Sequence, residues 1–517
     1  VNRRKFLGLT ALTAGGALVA TAGALTLPDL VANGEPGALL RTARPLPPAY
    51  RVPLPIPPVL APVRTDAGTD YYEITQRPGT ISVFPGVATP AWTYQGNFPG
   101  PTIVSRSGRR TVVRHTNRLP HPVAVHLHGG HTPHDSDGYP GDLLLPVGAA
   151  PGMPAMAGMP TMPGTIASGT RDYTYPFNQR AATLWYHDHR MGFTGPSMWH
   201  GLAGFHLVHD DEEEALPLPR GDRDIPIMIT DRAFDAAGRL IYPSLDPTLT
   251  TTPGVTAAYT NGVLGDVILV NGAPWPVLRV ARAKYRLRLL NASNARRYRL
   301  VLDPPATVVQ IGSDGGLLPR PLPQSALELA PAERFDVVVD FAHVPPGTQV
   351  ELRNTLGAGS TAQVMRFDVT GPAIRDEATV PPVLSHSATP DPRTAVVTRD
   401  FLFQNAAGSV GWRINGQAYD PAHPLANPKL GQPEIWRFVT DLHHPIHLHL
   451  DQFQVLARNG KQPGPYDQGW KDTLDLYPAQ SAEILVRFTD YAGRFVFHCH
   501  NLEHEDMAMM ADFMTTE

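Results

Sequence analysis

Four short strings carry residues able to do chemistry together: His126-Leu127-His128, His187-Asp188-His189, His444-Pro445-Ile446-His447-Leu448-His449 and His498-Cys499-His500, the last followed by His504 and Met509. A neutral imidazole is the commonest biological metal ligand. Residues i and i+2 of a strand point to the same side, so each His-x-His unit aims two imidazoles at one place. The parity separates two sites. His498 and His500 share one face, and Cys499 points to the other. His447 and His449 share a face, and His444, three positions earlier, falls opposite. His444 and Cys499, completed by His504 and Met509 just beyond, predict a His₂Cys site with a weak axial thioether, the arrangement of electron-transfer copper. The remaining eight imidazoles (His126, His128, His187, His189, His447, His449, His498 and His500) exceed what one ion needs and suit a cluster of about three. Structural zinc is a poor match, because it favours four ligands with several thiolates and the chain has one Cys.

The elements that must hold these residues are strands. The 517 residues include 46 Gly and 55 Pro, which argues against a mostly helical chain and for many short strands joined by turns. Partly alternating runs recur at Tyr71–Gln76, Thr111–Thr116, Ala124–His128, Gly204–His209, Tyr285–Leu290, Phe335–Val339, Ile435–Val439, Phe453–Ala457, Ala482–Phe488 and Arg494–His498. This spacing predicts β-sandwiches. The acidic run Asp210–Glu214, followed by Pro217 and Pro219, reads as a linker, and a second Pro-rich break spans 372–392. Together they divide the chain into 46–215, 216–378 and 379–517, with a Pro-rich strap at 44–62 leading in. A net charge of −4 gives no support to a nucleic-acid partner.

The first residues read as an address. Arg3-Arg4-Lys5-Phe6-Leu7 matches a twin-arginine export signal, and an uncharged apolar stretch follows to Leu27, with Ala20, Ala22 and Ala24 offering small-residue cleavage sites. The expectation is a signal peptide over 1–34, engagement of the twin-arginine export machinery, and a periplasmic or extracellular destination.

The strings HLHGG, WYHDH, HPIHLH and HCHNLEHEDMAM resemble the four copper signatures of multicopper oxidases. The strings HTPHDSDGYP, QIGSDGGLLPRPL, LAPAERFDVVVDF and GWKDTLDLYP extend the likeness to three-domain bacterial laccases of the spore-coat type, with phenoxazinone synthase and bilirubin oxidase as relatives. The resemblance covers most of 46–517 and implies an all-β protein of three cupredoxin-like Greek-key β-sandwich domains holding four copper ions. It implies His444, Cys499, His504 and Met509 as type 1 ligands, and His126 and His447 at type 2. It implies His128, His187 and His500 on one type 3 copper, and His189, His449 and His498 on the other. It also implies Asp137 and Glu505 as acids that deliver protons to the cluster.

The implied activity couples one-electron oxidation of phenols and aromatic amines to four-electron reduction of O₂ to water, with Cys499 as the electron bridge. Bilirubin and Cu(I) are further candidate reductants. Oxidation of a metal ion, Cu(I) or Mn(II), is the alternative enzyme reading, and a non-enzymatic protein of the same architecture is opposed by the complete ligand set. Met153, Met156, Met159 and Met162 recur every third residue. On a polyproline II helix they would form one thioether stripe, but a low-complexity loop explains them as well. His131, His134 and His443 read as neighbours of the ligands, and Met510 as a less favoured alternative to Met509.

Overall fold

A computed structural model describes residues 37–150, 161–306, 308–387, 391–405 and 411–517. The expected signal peptide and Met153, Met156 and Met159 lie outside them. Apart from two two-stranded sheets, the described strands form three pairs of sheets. The first pair joins a five-stranded sheet built on Thr69–Ile81, Thr89–Tyr94, Arg110–Asn117 and Thr170–Tyr175 to a four-stranded sheet ordered Gly100–Arg106, Ala203–His209, Ala182–Asp188, Val125–His128. The second joins a seven-stranded sheet, centred on Asp224–Arg232, Lys284–Asn291 and Arg334–Asp340, to a five-stranded one centred on Gln349–Asn354. The third joins a five-stranded sheet centred on Pro433–Thr440 to a four-stranded sheet ordered Thr473–Leu476, His444–Leu448, Gly493–Cys499, Met510–Thr515. A separate apolar core fills each pair.

The alternation read from the sequence has a direct physical outcome. In Pro433–Thr440 the buried side chains are Glu434, Trp436, Phe438 and Thr440, every second residue. Trp436 and Phe438 face the sandwich interior with Phe401, Phe497 and Phe513. Removing one such ring costs about 3–5 kcal/mol. By contrast, Ala182–Asp188 is buried along its whole length. One face of that strand packs in its own sandwich, and the other carries His187 toward another domain, so no side chain is left for solvent.

Two segments differ from the expectation of featureless linkers. Asp211–Ala215 is a short helix whose N-cap carboxylate, Asp210, accepts from Glu213 N at 2.7 Å. Glu213 is buried against Arg286 and Arg288 of the second domain, so the acidic run joins two domains through ion pairs. The Pro-rich strap is held by the hydrogen bonds its few non-Pro residues can donate: Tyr50 N to Trp275 O, Leu54 N to Val277 O and Leu60 N to Thr102 O, each at 2.8 Å. Among the described residues no helix is long and apolar enough to cross a membrane.

Candidate metal centres

Strand register places the ligand candidates. Antiparallel pairing sets His447 opposite His498 and Ile446 opposite Cys499. Cross-strand partners share a face, so the histidines emerge on one side of this sheet and the thiol on the other. In the first domain His187 pairs with His126, which puts His126, His128 and His187 on one face as well. The two histidine-bearing faces interleave across the domain boundary. Ring centroids lie 3.9 Å apart for His126 and His449, 3.7 Å for His128 and His447, and 4.8 Å for His189 and His498.

On the thiol side, Cys499 Sγ lies 3.4 Å from His444 Nδ1 and 3.5 Å from His504 Nδ1, and the two nitrogens are 3.1 Å apart. All three residues are buried. Met509 belongs to the same apolar core as Cys499, and its backbone is tied to both neighbours: Cys499 N donates to Met509 O, and Met509 N to His504 O. Met510 points away into another cluster with Tyr139 and Met162. His444 Nε2 donates to Asp441 at 3.0 Å, and Trp412 packs 3.7 Å from the His504 ring. Burial raises the Cys499 thiol well above its usual range, so ionising it inside this core requires a bound cation.

On the imidazole side, one nitrogen of most rings is held while the other faces the cluster, Nε2 inward for His126, His189, His447, His449 and His498 but Nδ1 open for His128. His126 and His447 donate through Nδ1 to the carbonyls of Asp137 (2.5 Å) and Asp472 (2.9 Å), leaving their Nε2 atoms 3.4 Å apart. His189, His449 and His498 bring three Nε2 atoms together, at 3.1 Å and 3.4 Å from that of His498. His187 Nε2, His128 Nδ1 and both ring nitrogens of His500 are buried without a partner. Buried polar atoms rarely stay unsatisfied, and a group of them facing one space fits a metal cluster. Burial, followed by repulsion from neighbouring imidazoles, holds most of these rings far below the ordinary histidine range (His187 at about 3, His189 at about 4). The rings are therefore neutral and have lone pairs to donate. Soft thiolate with two imidazoles, beside an all-imidazole cluster, is a donor set suited to copper.

Models described as multicopper oxidase match residues 75–213 and 387–517. A laccase from Bacillus stratosphericus is 38% identical over 516 residues, 88% of this chain and 97% of its own length. The chain belongs to the multicopper oxidase family. A bilirubin oxidase from Albifimbria verrucaria is 36% identical over 91% of this chain and 82% of its own length. The crystal structure of a multi-copper oxidase from Pediococcus acidilactici superposes with a TM-score of 0.79 at 30% identity, covering 92% of this chain and 94% of that one. This multicopper oxidase is thus a copper-dependent oxidoreductase of mostly β, cupredoxin-like architecture.

Asp137 and Glu505 are both fully buried at the cluster. Asp137 Oδ2 accepts from His449 Nδ1 at 2.7 Å. Glu505 lies between two rings, 3.4 Å from His189 Nδ1 and 3.2 Å from His498 Nδ1. Burial, with the nearby Asp142 carboxylate, raises Asp137 well above the usual carboxylate range, whereas for Glu505 the facing histidines outweigh the burial penalty and hold it low. The short helix Leu502–Asp506, which carries His504 and Glu505, is tied to both other domains. Tyr242, Asn294 and Val263 N donate to Glu503 at 2.8–3.0 Å, and Thr194 N and Gly195 N donate to Asp506 at 2.8 and 2.9 Å.

Sequence reasoning missed Asp441, Asp472 and Arg334 as partners of this site. The last two stand inside GWKDTLDLYP and LAPAERFDVVVDF, strings whose likeness was visible but whose acids and bases had no assigned work. His443 and His131 are set apart from the ligands. His443 Nε2 donates to Asp475 at 2.5 Å. His131 is clasped by Asp451 and Asp490, each at 3.0 Å.

Burial pulls the His131 pKa down, but the two carboxylates prevail and raise it to about 9. A raised histidine stabilises the fold fully below its unfolded value of about 6.5 and loses that contribution as pH climbs through about 9. His131→Gln therefore lowers the thermal midpoint of the apo-protein at pH 6, by the equivalent of about 1–3 kcal/mol, with Asp490 half exposed and partly screened. The deficit shrinks toward zero by about pH 10. A deficit that is constant with pH would show that His131 is not held charged.

Proposed function

We propose that this multicopper oxidase is a laccase-like enzyme that takes single electrons from phenols and aromatic amines and uses them to reduce O₂ to water. His444, Cys499 and His504, together with Met509, would hold a type 1 copper. His126 and His447 hold type 2. His128, His187 and His500 hold one type 3 ion and His189, His449 and His498 the other, giving four copper ions per chain. The convergence of a buried thiol with two imidazole nitrogens at 3.1–3.5 Å, one peptide bond from His498 and His500, carries this reading. Bound copper supplies one-electron exchange at the thiolate site and multi-electron chemistry with O₂ at the cluster.

The chain's own part is positional. Cys499 is covalently continuous with His498 and His500, so an electron arriving at Sγ has a through-bond route to the imidazole cluster. The core around Cys499 excludes water. Asp137 keeps His449 in the tautomer that presents Nε2 inward, Glu505 faces His189 and His498, and the two carboxyls are the proton-exchanging groups beside the cluster. The twin-arginine pair Arg3-Arg4 supports export to the periplasm or the cell exterior. Replacing both with Lys should leave the protein in the cytoplasm, and undiminished export would remove the twin-arginine reading.

The decisive experiment loads the protein with copper and measures metal per chain beside O₂ uptake with a phenol, bilirubin and Cu(I). Four coppers and phenol-dependent uptake are expected. No more than a single copper per chain would overturn the ligand assignment, and uptake with Cu(I) alone would replace the phenol reading by metal-ion oxidation. Met509→Leu should raise the reduction potential of the thiolate site, because losing the weak axial sulfur destabilises Cu(II) more than Cu(I). An unchanged or lower potential in a redox titration of the visible band would exclude Met509 as the axial donor.

A further inference from the structure

The second domain supplies none of the proposed ligands, yet it reaches the cluster through one buried side chain. Arg334 opens the strand Arg334–Asp340 and is fully buried. Its guanidinium has five N–H donors, and five acceptors surround it. Nε donates to Thr183 O of the first domain at 3.0 Å. Nη1 donates to Ala332 O at 3.1 Å and to Asp472 Oδ1 at 2.7 Å. Nη2 donates to Asp314 O at 3.1 Å and to Asp472 Oδ2 at 2.5 Å. A guanidinium with every donor engaged has one position, and its fork fixes the Asp472 carboxylate in one plane.

Asp472 in turn contacts two of the rings. Its Oδ1 accepts from His128 Nε2 at 3.0 Å, and its backbone carbonyl accepts from His447 Nδ1 at 2.9 Å. The same segment is pinned from behind: Asp314 forms an ion pair with Lys471 Nζ at 3.1 Å and accepts from the backbone N–H groups of Asp472 and Thr473 at 3.3 Å. Gly129, next to His128, shows how tightly the pair is enclosed. A Cβ there would sit 2.6 Å from Arg334 Nη2 and 2.8 Å from Asp472 Oδ2, at a backbone φ of +84° that already favours glycine.

We infer that Arg334 is a positioning residue for the trinuclear cluster: by clamping Asp472 it orients His128 and His447, and so makes the ligand-free second domain part of the O₂-reducing site. The inference rests on the ligand assignment above. The thiolate site is not part of this network: His444, Cys499 and His504 make no contact with Arg334 or Asp472 among the described hydrogen bonds.

The test compares copper-loaded wild type with Arg334→Lys, which keeps the charge but loses the fork, and with Asp472→Asn, which keeps the shape but cannot accept from both Arg334 and His128. Each is titrated with a copper chelator. Copper per chain, the electron paramagnetic resonance signal of the mononuclear cluster copper and the visible thiolate band are followed together. In both variants cluster copper is expected to leave at about 10–100-fold lower chelator concentration than in wild type, while the visible band keeps its wild-type resistance. If Arg334→Lys does not fold, Asp472→Asn carries the same expectation. Wild-type retention of cluster copper in the variants overturns the inference, as does loss of the visible band in step with it, which marks a general structural role. A wild type that binds only the thiolate copper would instead overturn the ligand assignment itself.

Discussion

Cys499→Ser is expected to abolish both the intense visible band and oxidase turnover while leaving copper in the imidazole cluster. Cys499 is the chain's only cysteine, so no other thiol can replace it. Its Sγ lies 3.4 Å from His444 Nδ1 and 3.5 Å from His504 Nδ1. A serine hydroxyl is harder, ionises far less readily, and has no low-lying orbitals to share an electron with copper, so the electron port and the bridge fail together. The neighbouring histidines keep their places, because His498 and His500 are set by backbone pairing of Gly493–Cys499 with His444–Leu448 and Met510–Thr515 rather than by the thiol. Visible absorption, O₂ uptake and metal analysis on one preparation check all three parts. A variant that remains coloured and active would refute the assignment of the electron port to this residue.

The same backbone logic explains why so much of the site was legible in the sequence. A strand repeats every two residues, so His498-Cys499-His500 encodes two opposite destinations without any knowledge of the partner strands. The register His447 opposite His498 then brings separate His-x-His units to one face. The recurring alternating runs located the strands for the same reason, most observed elements extending the expected one by a few residues, while Val125–His128 starts one residue later and Ser481–Arg487 ends one residue earlier.

What the local pattern does not contain is the identity of partners brought together from far along the chain. Arg334 and Asp472 are 138 residues apart, and each is of a type found on any surface. Nothing in their own neighbourhoods marks them as buried beside His128. The acidic run Asp210–Glu214 misled for the converse reason. Its composition is that of a solvated linker, but Glu213 is neutralised by Arg286 and Arg288 contributed by a strand about 75 residues later. Met162 is likewise part of a buried cluster with Tyr139, Met191 and Met510, not the end of an exposed thioether stripe.

Glu505→Gln should lower steady-state O₂ uptake by about 10²-fold without altering the visible band. The carboxylate lies between His189 Nδ1 and His498 Nδ1 at 3.4 and 3.2 Å, and as an anion it attracts both rings, while His498 Nδ1 also lies 3.1 Å from Cys499 O. A glutamine has one acceptor oxygen and presents N–H donors on the other side. Both rings then lose the facing anion, and the one that meets the amide N–H is less firmly oriented toward the cluster. The amide also removes the only carboxylate within 4 Å of those two ring nitrogens among the described ion pairs, and with it a group able to pass a proton to reduced oxygen. The thiolate site takes its contacts from other residues. Sγ takes its geometry from His444 and His504, and the helix Leu502–Asp506 that carries His504 stays anchored through Glu503 and Asp506 rather than through Glu505. Reduction of the visible band by substrate should therefore proceed at the wild-type rate, and its return on mixing with O₂ should be slowed. Glu505→Asp separates the two contributions. It restores an ionisable carboxyl one methylene short of the rings, so partial recovery of O₂ uptake identifies proton transfer as the larger part, and no recovery identifies ring orientation. An uptake rate within threefold of wild type in Glu505→Gln would exclude this carboxylate from the oxygen chemistry.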